Sequence, residues 1–187
     1  MKKLLVLAVV LLGAILPAAA QVEVSLNAGV GAAGWIGSDA DNTDMKFGYR
    51  VGLGLDAPIN NTWGFRSGLN FEGLGAKVGG VTAKPLYLEI PLMATAKVPV
   101  VDAVDVIFNF GPYVGVGVGG KLSSDLGSSD AFGDYGMNRF DAGLGLGAGV
   151  DVDHFRFGLD TRFGLTKVYD DSNIHNFALL FSVGYKF

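Results

Sequence analysis

Alternation with a period of two residues runs through this chain, and it is cleanest in the last eleven residues, Phe177–Phe187 (FALLFSVGYKF). Phe177, Leu179, Phe181, Val183, Tyr185 and Phe187 share one parity, which marks a strand with one apolar face. An open strand ending on a bare aromatic edge would invite aggregation, unless the sheet closes and its apolar face meets lipid.

Seven more stretches alternate in the same way: 22–35, 46–57, 63–74, 85–98, 106–121, 139–152 and 155–167. Phe47, Val51, Leu53 and Leu55 typify the large apolar parity of one stretch, and Phe155, Phe157, Leu159 and Phe163 that of another. No helical period interrupts them. The connections alternate too: 58–62, 99–105 and 153–154 are short, whereas 37–45, 75–84, 122–138 and 168–175 are longer and polar. Even strand number with short turns at one end and longer loops at the other is the layout of bacterial outer-membrane barrels. The pattern predicts an all-β chain, an eight-stranded antiparallel up-and-down transmembrane β-barrel with periplasmic termini.

The chain opens as an exported protein does. Met1–Lys3 is basic, Leu4–Leu16 is apolar, and Pro17-Ala18-Ala19-Ala20 is a small-residue cleavage site. The expected division is a signal peptide at 1–20 and a barrel domain at 21–187, preceding the outer membrane of a Gram-negative cell as destination. Removing Lys2 and Lys3 leaves 12 basic against 18 acidic residues, a net charge of −6. Such an acidic chain argues against nucleic acid as a partner. The absence of cysteine excludes disulfides and thiolate metal sites.

The opposite parity shows which face meets lipid. It is mostly glycine with isolated charges, for example Gly48, Arg50, Gly52, Gly54 and Asp56. A water-facing sheet would carry Thr, Lys, Gln and Ser. Glycine in strands marks crowding, and the bore of an eight-stranded barrel is narrow enough to be filled by side chains. The large apolar parity therefore faces outward. The inward parity carries Lys46, Arg50, Arg66, Lys97, Arg139, Arg156, Arg162 and Lys186 against Glu23, Asp56, Glu72, Glu89, Asp141, Asp151 and Asp160. Near-balance suggests a mutually neutralising plug, since an unpaired buried charge is expensive; a selective channel would show one sign in excess. Two clusters are expected: Arg50 with Glu72 and Glu89, and Arg162 with Asp141 and Asp160. Aromatics near the strand ends, Trp63, Phe65, Phe155, Tyr185 and Phe187 at one end and Trp35, Phe47, Tyr49, Phe71 and Phe140 at the other, suggest interfacial girdles. Ser67 falls on the lipid-facing parity, and Pro91 and Pro112 predict a bulge or bend within their strands.

The strings LYLEIPL (Leu86–Leu92), GPYVG (Gly111–Gly115), RFDAG (Arg139–Gly143) and the closing GYKF resemble the PorT-like outer-membrane β-barrel family of Bacteroidetes. OmpX-like and OmpA-like barrels share the alternation and the terminal Phe. The resemblance covers essentially the whole chain after the leader. It implies an eight-stranded barrel inserted by the barrel-assembly machinery, with Phe181, Val183, Tyr185 and Phe187 as the assembly signal, and it brings no catalytic residues.

Function is less legible. Asp39, Asp41, Asn42 and Asp44 superficially suggest a calcium loop, but the glycine and the distal Glu of that pattern are missing. The glycines from Gly115 to Gly120 lack the Lys and the helix of a phosphate loop. His175 with Ser172 and Asp170 or Asp171 is a weak hydrolase constellation. The expectation is a monomeric, non-enzymatic barrel without cofactor or metal, with a structural or surface-interaction role. Its partners would be outer-membrane lipid and lipopolysaccharide, the assembly machinery, and an extracellular protein met through acidic loops. The alternatives are a narrow-pore, porin-like transporter and a lipid-modifying enzyme.

Overall fold

A computed structural model describes residues 22–125, 127–133 and 136–187. The expected signal peptide lies outside the described residues. Among the described residues eleven antiparallel strands form one sheet: β1 (Glu23–Ile36), β2 (Thr43–Pro58), β3 (Trp63–Gly73), β4 (Ala76–Val78), β5 (Val81–Pro91), β6 (Met93–Val101), β7 (Val104–Ser124), β8 (Gly127–Asp130), β9 (Phe140–Val152), β10 (Phe155–Gly164) and β11 (His175–Lys186).

The sheet closes on itself. β1 pairs with β2 from Glu23↔Asp56 to Ala33↔Lys46, and with β11 from Ser25↔Lys186 to Ile36↔His175. The remaining pairings run β2–β3, β3 with β5 and β6, both of these with β7, then β7–β9, β9–β10 and β10–β11. Closure satisfies the backbone without an open edge, as a lipid environment requires.

Three departures take the strand number from the eight expected to eleven. β5 and β6 flank a break at Leu92, and two prolines explain it together. The Leu92 amide donates to the Pro112 carbonyl at 2.9 Å, but Pro112 has no N–H to return the bond. Pro91 lacks the N–H that would reach β3 on the other side, and the β3 pairing is interrupted from residue 67 to 69. At Pro112 itself the β7–β9 register runs unbroken. Next, the predicted polar connection 75–84 is largely a tight hairpin: β4 pairs with β5 across Val78↔Val81. Gly79 and Gly80 have φ of 52° and 85°, the two left-handed positions that a two-residue hairpin turn needs. Finally, β8 folds back on the end of β7, from Lys121↔Asp130 to Ser124↔Gly127.

The two faces follow the parity of the sequence. Leu53, Leu159 and Phe181 are about half exposed on the outside, while Glu72 and Leu180 inside are wholly buried. Such a continuous apolar exterior is abnormal against water and natural against lipid. Glu23 and Arg139, expected among the inward charges of the plug, are exposed, and two further residues depart from expectation. Ser67, expected to face lipid, is only 4% exposed, beside the irregular β3 pairing. Trp35, expected in a girdle, is 6% exposed.

Trp35 belongs to an apolar cluster at the long-loop end, with Ala33, Leu74, Ala76, Ala83, Tyr87, Ala131, Phe132, Met137, Val168, Ala178 and Leu180. β1, β5 and β11 contribute inward side chains, and the segments after β8 and β10 fold over them. Tyr169 meets Trp35 edge-on at 5.9 Å, and Phe132 meets Tyr87 edge-on at 5.5 Å. A Cβ at Gly117 would run into the Phe132 ring, so glycine there lets the loop descend.

Candidate functional site

Beneath this apolar plug the bore is polar. The β2–β3 register sets Arg50 directly opposite Glu72, and Arg50 Nε donates to Glu72 Oε1 at 2.7 Å. Arg50 Nη1 also reaches Asp160 on β10 at 3.4 Å, and the Ser182 hydroxyl donates to the same carboxylate at 2.8 Å. Glu89 accepts from Asn70 at 3.0 Å.

Arg162 ties these groups together. From β10 its guanidinium crosses the bore to ion-pair with Glu72 on β3 and Glu89 on β5. It also lies 3.4 Å from Asp141 on β9, which accepts from the Thr166 hydroxyl at 3.0 Å. The guanidinium is centred 4.0 Å from the Tyr113 ring, an arrangement that stabilises a cation. The six residues expected as two clusters thus meet in one, and Glu89 pairs with Arg162 where Arg50 was expected. Period-two parity identifies inward side chains and adjacent strands; partners across the bore depend on how the ring closes, which parity does not encode.

A second group lies toward the chain termini. Arg156 makes a forked pair with Asp151, Nε and Nη2 donating at 2.6 and 2.7 Å, and reaches Asp56 at 3.2 Å. Arg66 Nε donates to Asp56 at 2.7 Å, and Lys186 Nζ to Asp151 at 2.9 Å. The planar fork of arginine suits such confined carboxylates. Parity had placed all five inward without singling them out. Lys186 lies on the terminal strand, so the alternation that reads as an assembly signal on its outer face also supplies a lumen cation on its inner one.

Two cavities lie among the described residues of the bore. One, of about 80 Å³, is lined by Asn27, Arg50, Asn70, Asn109, Asp160 and Ser182 among others; the second, of about 90 Å³, is lined by Glu23, Asp56, Asn60, Thr95 and Lys97 among others. Arg156 and Ile107 line both and stand where they meet. Each has room for a few waters and little more.

The other candidate constellations do not assemble. Ser172 Oγ donates to the Tyr169 carbonyl at 3.1 Å, and both His175 ring nitrogens are engaged, with Thr166 O at 2.9 Å and Asn173 Oδ1 at 3.0 Å. Asp39 accepts from the Asn173 amide at 2.7 Å, and Asp170 from Asn138 at 2.8 Å, so these acids tie loops together. Among the described residues no group of three or more His, Cys, Asp or Glu is arranged to hold a metal ion. At the terminal end Tyr185 packs on Phe155 at 5.3 Å and on Phe187 at 5.2 Å, and the Phe187 amide bonds Val24 O at 3.0 Å.

A closed antiparallel sheet with an apolar exterior and a polar bore defines an outer-membrane barrel. The chain belongs to the family described as outer membrane protein beta-barrel domain, whose pattern matches residues 18–170. No curated protein matches it in sequence. Its fold is similar to that of Ail, the attachment invasion locus protein of Yersinia pestis, at 17% identity and a TM-score of 0.50, covering 89% of this chain and 99% of that one. It is also similar to Neisserial surface protein A (14%, TM-score 0.55, 88% and 97%) and to OprG of Pseudomonas aeruginosa (15%, TM-score 0.50, 90% and 96%). At such identities the likeness is one of fold.

Proposed function

We propose that this is a small, non-enzymatic outer-membrane protein with a structural or surface-interaction role, whose bore conducts no solute. The observation that carries the reading is the stacking of two obstructions, the apolar plug around Trp35, Tyr87 and Phe132 above the ion-pair network centred on Arg162. Eight staves fit the pairing best, with β5 and β6 forming one stave, β4 prolonging β3, and β8 serving as an appendage of β7. Cleavage of the leader after Ala20, termini in the periplasm, a monomeric state and kinship with PorT-like barrels complete the proposal. Phe181, Val183, Tyr185 and Phe187 act during insertion as the signal to the assembly machinery. Asp41, Asp125 and Asp171 in the loops offer a cationic protein partner its surface.

Liposome swelling tests the central point. Vesicles carrying the folded protein should swell in isotonic arabinose no faster than empty ones; swelling in proportion to the protein incorporated would support the porin-like alternative instead.

A further inference from the structure

Lys77 and Lys84 fall in the connection 75–84 and Lys121 ends the stretch 106–121, and the strand register brings the three together. Lys84 on β5 and Lys121 on β7 are direct cross-strand partners. Lys77 on β4 is paired with Thr82, two residues from Lys84 on the same face. Their neighbours settle that face: Ala83 and Pro85 on either side of Lys84 are buried, Leu122 beside Lys121 packs on the apolar plug, and Ala76 and Val78 flanking Lys77 do likewise. The three lysines therefore project outward, away from the bore.

Like charges directly opposite one another destabilise a strand pair. No close ion pair offsets them: the lysine ion pairs among the described residues belong to Lys97 and Lys186. Asp130 lies opposite Lys121 across the β8 pairing and Asp44 opposite Lys77, yet neither carboxylate comes within ion-pair distance.

The position of the lysines is informative. On the same outer face the row Phe71↔Leu88↔Val116↔Phe140 crosses four strands, aromatic at both ends, as at a membrane interface. Leu86 follows, and Lys84 comes two residues later. Two residues on a strand tilted by about 40° climb roughly 5 Å, which carries the lysines from the apolar band into the headgroup layer. Their aliphatic stems can lie along Leu86 while the ammonium groups remain in the polar layer.

We propose that Lys84 and Lys121, with Lys77 beside them, bind the phosphate of an anionic membrane lipid in the leaflet at the long-loop end. Two ammonium groups on facing strands can straddle one phosphate, which removes their mutual repulsion, and the acyl chains then lie along Leu86, Leu88 and Val116. The proposal requires a membrane-spanning barrel but holds whichever side the loops face.

The test compares the wild-type protein with the Lys84→Gln/Lys121→Gln double variant, each folded into phosphatidylcholine nanodiscs with or without phosphatidic acid. Native mass spectrometry reads the retained lipid, and heat-modified gel mobility reads stability. Wild type should retain phosphatidic acid over phosphatidylcholine by about tenfold, a difference of about 1.4 kcal/mol, and should melt several degrees higher in its presence. The double variant should lose both effects, while in phosphatidylcholine alone it should be at least as stable as wild type. Lys84→Arg/Lys121→Arg should keep the selectivity, which covers the case of a glutamine variant that fails to fold. Equal lipid retention by wild type and the glutamine variant would overturn the site. So would loss of selectivity on Lys167→Gln, or stabilisation of wild type by inorganic phosphate alone, which would indicate a free anion rather than a lipid.

Discussion

Replacing Arg162 by methionine tests the lumen network at its centre. Arg162 is 4% exposed and pairs with Glu72, Glu89 and Asp141. Removing one partner of a buried ion pair costs about 3–5 kcal/mol, because the other charge is left without compensation. Three carboxylates lose a partner here, but not equally. Glu72 keeps Arg50 at 2.7 Å and Asp141 keeps the Thr166 hydroxyl at 3.0 Å, whereas Glu89 keeps the Asn70 amide at 3.0 Å and no close ion pair. The expected cost is therefore close to that of one stranded carboxylate, about 3–5 kcal/mol, with up to ~2 kcal/mol more from the lost stacking on Tyr113. Urea unfolding in detergent micelles, followed by tryptophan fluorescence, gives the free energy. Adding Glu89→Gln to Arg162→Met should recover at least about 1 kcal/mol, within the range of coupling between contacting residues. Leu53→Ala, half exposed on the outer face, is the control for a change outside the bore. A loss below about 1 kcal/mol for Arg162→Met, with no coupling to Glu89, would mean that solvent screens these charges as at a surface, and the plugged-bore reasoning would fail.

Trp35 and Trp63 are the two tryptophans; a Trp63→Phe protein should emit from Trp35 at short wavelength and resist quenching by brominated lipid, since Trp35 lies in the plug, and efficient quenching would return Trp35 to the girdle. Gly117→Ala should displace Phe132 and resemble Phe132→Ala, raising hydrogen exchange in 127–133 with the barrel strands unchanged; protection equal to wild type in both variants would show that the ring contributes nothing to loop order. Phe187→Ser should lower the folded fraction recovered from cells while leaving refolding of purified protein in detergent nearly unchanged, and an equal loss in both settings would make the terminal ring structural rather than an assembly signal.

Much of the architecture was legible because one physical rule, alternation between two solvents, governs nearly every strand. Phe47, Leu53, Leu159 and Phe181 follow it and face outward, while Arg50, Glu72, Glu89, Asp141 and Arg162 follow it and face the bore. The rule weakens where the two-solvent distinction does. At the long-loop end both faces can be apolar: Trp35 and Leu180 lie on the inward parity and point into the plug, and the girdle expectation for Trp35 came from its residue type and strand-end position rather than from parity. Parity also says nothing about partners that only closure brings together: Arg162 meets Glu72 and Glu89 across the bore, with β11, β1 and β2 between them on one side of the ring. The break at Leu92 needed both prolines, and only the register shows that Pro112 lies opposite it. Function was least legible, because the distinguishing chemistry of such a barrel lies in loops that alternation does not govern.

Planar-bilayer recording of the folded protein tests the closed bore most directly. Two independent obstructions in series predict no unitary conductance steps in 1 M KCl, and none in the Phe132→Ala variant either, because the Arg162 network remains below. Stable, reproducible steps from the wild-type protein, scaling with the amount inserted, would contradict the account and identify a pore.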